Sequence, residues 1–277
     1  MRVDPELIVS AEQAVARACE RSGVEVHLAQ SPSELQLVRE VCDAVWPAVS
    51  GSTQLQPNLL KAITYSGGYA SIALADGEPV GAAVALPGRH RDATTGWIEV
   101  LHSHMAGVVS GARDRGIGTA LKQHQRLWAL QQHLPVIAWT FDPLVRRNAV
   151  FNLRNLGVEV ARYEVNFYGA MDDELNHGDE TDRLLAWWPV ASARAVRAAI
   201  HPLPAINTTV ADLGSTCQII EIPEDIVGLR QANPSEALEW RMRVRREFQK
   251  ALTNHEQVLG VDDRGNYVLA PEGSTEP

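Results

Sequence analysis

The sequence predicts an α/β (α+β) chain: a mixed, mostly antiparallel sheet with helices on both faces, followed by a C-terminal α/β appendage. Three observations carry this. Short apolar runs with the two-residue period of strands alternate with stretches of helical period. Residues 69–88, YASIALADGEPVGAAVALPG, read as two strands folded back at Asp76-Gly77, a dipeptide that favours a tight hairpin. Residues 97–133 read as a strand that runs through an Arg/Gly-rich turn into a long amphipathic helix.

In chain order, Asp4-Pro5 supplies an N-cap and a proline at the first helical position, so residues 5–21 form a helix that ends at Ser22-Gly23. Residues 24–29 alternate as a strand. SPSELQLVREVCDAVWP follows with a serine cap and apolar residues at helical spacing (Leu35, Val38, Val41, Cys42, Val45). Residues 55–65 give a short helix, and the hairpin comes next. The stretch from Gly88 to Gly96 is polar and reads as a loop, so the central strand begins at Trp97. PVIAWTF (135–141) is a short apolar run suited to a strand buried on both faces, stopped by Asp142-Pro143. NAVFNLRNLG reads as a helix capped by Gly157, followed by strands across VEVARYEVNFYG and DRLLAWWPV. The order is β α α β β β α β α β β. Beyond it come a connecting helix in ASARAVRAAI, two strand-like runs, a helix from Pro234 to about Thr253, and a hairpin in VLGVDDRGNYVLA. The expected division is 1–190 for the main domain, 191–270 for the appendage and 271–277 for a disordered tail.

Composition narrows the function classes. With 45% hydrophobic residues in 277, the chain can bury a sizeable core. No apolar run approaches the roughly 18 residues of a membrane span, and the N-terminus is acidic where a signal peptide is basic. The expectation is a cytoplasmic protein that engages no membrane. A formal charge of −9 argues against a nucleic-acid partner. The basic clusters at Arg89–Arg91 and Arg241–Arg246 read as solvated loops or helix faces. Cys19, Cys42 and Cys217 show no metal-ligand spacing, so no metal is expected.

The chemistry concentrates in Arg113-Asp114-Arg115-Gly116-Ile117-Gly118-Thr119-Ala120. No Gly-Lys-Ser/Thr follows, so this is not a P-loop. Leu121 stands where a dinucleotide fingerprint needs its third small residue. What remains is Arg-x-x-Gly-x-Gly opening a helix. Its glycines let an anion approach, and the N–H groups of residues 114–119 are free to donate to it. Such a site suits a pyrophosphate.

These residues resemble the GNAT superfamily of acyl-CoA-dependent N-acyltransferases, whose Arg/Gln-x-x-Gly-x-Gly/Ala motif is matched by Arg113, Gly116 and Gly118. The resemblance spans roughly residues 24–190. LHSHMAGVVSGARDRGIGTALK, AWTFDPLVRRNAVFNLRNLG and EWRMRVRREF look like a bacterial group of predicted GNAT acetyltransferases with a C-terminal extension. The resemblance implies acetyl-CoA or another acyl-CoA as co-substrate, with its pyrophosphate on residues 113–120. It implies that the pantetheine arm lies along Ala106, Gly107 and Val108, near Asn148, and that the Ala106 N–H polarises the thioester carbonyl. Asn148 is equally read as a helix cap. Counting eleven residues back from Arg113, where several members carry a glutamate base, gives His102. Strand alternation would put His102, His104, Ala106 and Val108 on one face, making His102 or His104 the base; both are equally read as hydrogen-bonded structural residues. Leu153 stands where many members have a tyrosine acid, with Tyr163 and Tyr168 on the next strand. The implied activity is acyl transfer to the amine of a small molecule or amino acid. A succinyl-CoA donor, with a cation among Arg146, Arg147 and Arg154, and a non-catalytic CoA-binding protein are the alternatives. A homodimer is left open.

Overall fold

The computed structural model describes residues 3–47, 53, 55–92, 96–169, 179–207 and 217–274. By contact the chain falls into two compact units, Met1–Trp139 with Trp188–Ile200, and Thr140–Trp187 with His201–Pro277.

The first unit begins with helix α1 (Pro5–Ser22). Asp4 caps it by accepting the Glu6 N–H at 2.9 Å, and Gly23 ends it in the left-handed conformation at φ 65°. Strand β1 (Glu25–Leu28) leads to α2 (Pro32–Val45), opened by a full capping box between Ser31 and Glu34, and to α3 (Pro57–Tyr65). Strands β2 (Tyr69–Ala75) and β3 (Glu78–Asp92) form the expected hairpin, with Asp76 and Gly77 both at positive φ. Then come β4 (Gly96–Val108), a 3₁₀ turn at Ser110–Ala112, α4 (Ile117–Gln131) and β5 (Val136–Phe141). The stretch expected as a loop from Gly88 is strand as far as Asp92. Arg89 faces Glu99, and Arg91 faces Trp97 across the β3–β4 ladder. Exposed, charged strand ends carry no apolar alternation for the eye to follow. Residues 93–95 lie outside the described residues.

Strands β1 to β4 are antiparallel neighbours in sequence order, and β5 joins β4 in parallel. Alternation sorts the side chains to two faces. Ile72, Ala82 and Val84 meet Val38, Val41 and Cys42 of α2 and Leu60 of α3 in one core. On the other face α4 lies against β2–β4, with α1 outside it: Tyr69 Oη meets His124 Nδ1 at 2.7 Å, and Gly81 sits under Ile117 and Leu121. Helix α6 (Ala193–Ile200) also packs on α1. The fold is therefore the mixed, mostly antiparallel sheet with helices on both faces.

The second unit carries α5 (Arg146–Val150), which passes into a π-helical turn at Phe151–Asn155, then β6 (Glu159–Glu164) antiparallel to β7 (Arg183–Pro189). The π turn is where the sequence suggests a plain helix. The appendage holds β8 (Gln218–Ile220), α7 (Ile226–Ala232), α8 (Pro234–Thr253), β9 (Glu256–Val261) and β10 (Tyr267–Pro271). Its sheet has the order β8-β10-β9. Helix α7 has no counterpart in the sequence reading. Pro271, expected in the tail, closes β10, and Glu272 N–H bonds His255 O at 2.8 Å. Residues 275–277 lie outside the described residues.

The unit is held by a buried ion cluster. Arg241 places its two terminal nitrogens on the two oxygens of Asp142 at 3.0 Å each, and Nη2 also reaches Asp179 at 2.9 Å. Arg230 reaches Asp142 at 2.5 Å and Asp179 at 2.9 Å. Arg245 pairs with Glu180 and Asp182. Arg241, expected on a solvated helix face, is fully buried. Burial alone would raise the Asp142 carboxyl. The charges and hydrogen bonds of Arg241 and Arg230 more than reverse that and hold it well below the usual range.

Candidate active site

The Arg/Gly-rich turn joins β4 to α4. Asp114 (φ 62°) and Gly116 (φ 84°) both take the left-handed conformation, and Gly116 is the N-cap of α4. That geometry turns successive backbone N–H groups to one side at the positive end of a 15-residue helix. Thr119 and Ala120 N–H donate to Gly116 O at 3.0 and 3.2 Å, so they are committed inside the helix. The donors left without a backbone acceptor are those of residues 114–118, one fewer than the sequence suggests. Arg113 to Gly116 are exposed. Ile117 and Ala120 turn their side chains into the core, so only the N–H of Ile117 is available from that pair.

Upstream, β4 pairs with β5 at only two rungs, Leu101–Ile137 and His102–Ala138. Residues 103–108 continue along β3 without further rungs to β5, which leaves that side of Ala106, Gly107 and Val108 as a ledge. Gly107 is required by packing: a Cβ there would stand 2.7 Å from Trp46 and 2.8 Å from Val45, at the end of α2.

The ladder corrects the face assignment. Val84 pairs with Met105, yet Ala85 pairs with Ser103, so β4 carries one extra residue, His104, at a β-bulge. Residues across a rung share a face, so the bulge reverses the alternation. His102, opposite Leu86, lies on the α2 face with Val84. Ala106, opposite Ala83, lies on the α4 face with Ser103. His102 and Ala106 therefore do not share a face.

His102 is partly buried in a row of three imidazoles. His90 stacks on it at 6.1 Å between centroids, across Gly88, and His104 lies at 6.5 Å. Burial first, then the neighbouring His104, His90 and Lys122, push the His102 pKa down to about 4. The ring is neutral at pH 7. As a proton acceptor it is weaker than an ordinary histidine by about 3 kcal/mol.

In the second unit, Asn148 lies in the first turn of α5, its N–H on Val145 O at 2.9 Å. Leu153 is buried in the π turn. Tyr163 donates to Asp182 at 2.5 Å, and burial followed by that bond raises its pKa further, which removes it as an acid. Tyr168 Oη lies 3.0 Å from Thr140 Oγ1. Arg146 is bound to Ile222 O and Arg154 to Leu203 O. Both are already engaged, and Arg147 is exposed.

No protein-family model and no curated protein matches the chain. Among solved structures it is similar to Arabidopsis thaliana Naa50 in complex with a CoA-Ac-MVNAL bisubstrate analogue: 15% identity, 60% of this chain, 97% of the other, TM-score 0.44. It is also similar to the ribosomal-protein-S18-alanine N-acetyltransferase of Escherichia coli (12%, 61% and 96%, 0.45). A third is an N-acetyltransferase of Staphylococcus aureus Mu50 (12%, 60% and 98%, 0.47). The likeness is too distant to argue from, and the functional reading rests on the chain's own geometry.

One group at the site escaped the sequence reading. Lys122, one turn into α4, is buried, with its ammonium on Ser103 Oγ at 2.8 Å, on Gln125 Oε1 at 3.2 Å and 3.7 Å above the Trp139 ring centroid. A lysine inside an amphipathic helix reads as a surface residue, and only the long-range contact to β4 reveals otherwise. Among the described residues no group of three or more His, Cys, Asp or Glu could hold a metal ion, and no helix is long and apolar enough to cross a membrane.

Proposed function

We propose that the chain is an acyl-CoA-dependent N-acyltransferase. The default donor is acetyl-CoA, and the acceptor is the amine of a small molecule or amino acid. The observation that supports this most is the continuity of one segment. Strand β4 runs past its last rung with β5 as a half-paired ledge and leads into a turn whose N–H groups 114–118 face outward at a helix N-terminus. A ledge of strand backbone suits an amide-bearing arm added as a further strand, and the turn suits a pyrophosphate.

In this reading Arg113 to Gly118 hold the pyrophosphate, and Thr119 and Ala120 fix the helix behind them. Ala106, Gly107 and Val108 align the arm, with the Ala106 N–H donating to the thioester carbonyl. One fixed donor of that kind is worth about 2.7 to 4 kcal/mol in the transition state. Asn148 is retained as an arm contact by resemblance alone. His102, neutral at pH 7, accepts the proton shed by a small amine that attacks in its uncharged form, and His104, exposed at the bulge, is the second candidate. Acyl-CoA supplies the activated acyl group.

The test is calorimetric binding of CoA to the full chain, followed by thiol release from acetyl-CoA across a panel of α-amines and lysine-like amines. Micromolar CoA binding with turnover on at least one amine is expected; absence of CoA binding would sink the reading. A second reading, a non-catalytic CoA-binding protein, draws on Leu153 and on the weakened His102. Tight binding with no turnover on any amine, from either acetyl-CoA or succinyl-CoA, would favour it.

A further inference from the structure

The place of Lys122 carries the next step, and it rests on the acyltransferase reading. Leu101–Ile137 and His102–Ala138 are the two rungs between β4 and β5. Ser103 and Trp139 are therefore the first residues on each strand past the fork, and the Lys122 ammonium touches both, one through its hydroxyl and one through its ring. The side chain is 4% exposed as a residue, and its contacts are the hydroxyl, the amide oxygen of Gln125 and the indole, none of them anionic. Desolvation lowers its pKa to about 7, so it holds and gives up a proton near neutrality. The titratable group coupled to it across the sheet is His102, and Arg126, one turn further along α4, is bound to Val190 O at 2.8 Å.

The direction of the arm follows from the order of the parts. The pyrophosphate cradle lies beyond the C-terminal end of β4. An arm laid back from it along residues 108 to 103, a ledge of about 17 Å at roughly 3.4 Å per residue, brings its far end, the sulfur, to the fork. We propose that Lys122 is the proton-bearing group for that sulfur: its ammonium steadies the thiolate leaving the acyl carbon and protonates it. Attack by a neutral amine forms the C–N bond and breaks the C–S bond, whose electron pair stays on sulfur. A Lys122 N–H proton passes to sulfur, giving the free thiol; the proton shed by the new amide nitrogen goes to the base, His102 or His104, and exchange with solvent then discharges the base and restores the Lys122 ammonium. This assigns to α4 the acid role for which Leu153 is unsuited.

The experiment needs no acceptor. The thiol of CoA bound to the full chain is titrated by thiolate ultraviolet absorbance, with desulfo-CoA as the blank, in the wild type, Lys122→Met and Lys122→Arg. The wild type should lower the bound thiol pKa by about one unit, a tenfold rise in thiolate fraction below it. Lys122→Met should return it to the free value or above, and Lys122→Arg should keep it low. Equal thiol pKa values in wild type and Lys122→Met would overturn the proposal. If Lys122→Met fails to fold, the wild type alone decides. The Lys122 ammonium, followed by NMR, must rise in pKa when CoA binds but not when desulfo-CoA binds, since coupling between two sites is reciprocal. An equal response to both ligands refutes the assignment. No binding of either ligand to the wild type would instead refute the acyltransferase reading.

Discussion

Replacing Arg241 with methionine tests the buried ion cluster that holds the second unit. Arg241 is fully buried and grips both oxygens of Asp142 at 3.0 Å while reaching Asp179 at 2.9 Å. Its removal leaves Arg230 as the cation in salt-bridge contact with the two buried carboxylates among the described residues. Stranding one charge in this way costs about 3–5 kcal/mol. With a urea m-value near the upper end for single domains, about 3 kcal/mol/M, the midpoint should fall by roughly 1–2 M. The double variant Asp142→Asn/Arg241→Met leaves Asp179 paired with Arg230 and should recover part of that loss, giving a coupling energy on the order of 1–3 kcal/mol. Acid adds a second readout. A carboxyl held below its unfolded pKa contributes stability that is present above about pH 4 and lost as the pH falls below it toward the folded value. The variant, in which the Asp142 carboxyl is no longer held down by Arg241, should lose less stability than the wild type over that pH range. Urea melts followed by circular dichroism from pH 7 to 3 would measure both effects. A midpoint shift under about 0.3 M, or a double variant as unstable as the sum of its parts, would refute this account of the cluster.

Other expectations follow from the first unit. Gly107→Ala drives a methyl into Trp46 and Val45 and should cost about 1–3 kcal/mol of stability while weakening CoA binding, both read on one purified sample. Gly116→Val forces a branched residue into φ 84° and should destabilise the start of α4 by about 1–3 kcal/mol, with CoA affinity falling in calorimetry. Because the His102 pKa is depressed to about 4 in the fold, the unfolded chain takes its proton first. Stability should drop as the pH falls from about 6.5 to 4, by at most about 3 kcal/mol from this ring, and His102→Gln should flatten that slope in thermal melts. In the same window a pH–rate profile for a small α-amine should follow the amine alone and show no histidine limb.

Local signals made much of the fold legible. The Asp4 cap, the Ser31–Glu34 box, the Asp76-Gly77 hairpin and the Gly116 turn are all set by residues within four positions of one another, and each stands where expected. What escaped depends on partners far away in the chain. Asp142 reads as a strand stop, but its role is fixed by Arg241, 99 residues on. Lys122 reads as surface until Ser103 and Trp139 close over it. The two-residue period of β4 is clear in the sequence. The bulge at His104 is not, because one unpaired residue alters no composition and no cap.

That bulge gives β4 something like a reading frame. Up to Ser103 the strand is read in one phase and from Met105 in the other, with His104 as the inserted letter. Striking that letter out would leave Ser103 opposite Ala85 and Met105 opposite Val84, a regular ladder, so residue 104 is a place where β4 can change length without turning any later side chain over. A residue inserted between Met105 and Ala106 has no such freedom: in an unbulged ladder it would carry the Ala106 methyl to the α2 face, where only the bare backbone of Gly107 now fits beside Trp46. Variation in length should therefore be tolerated at His104 before it is tolerated between Met105 and Gly107.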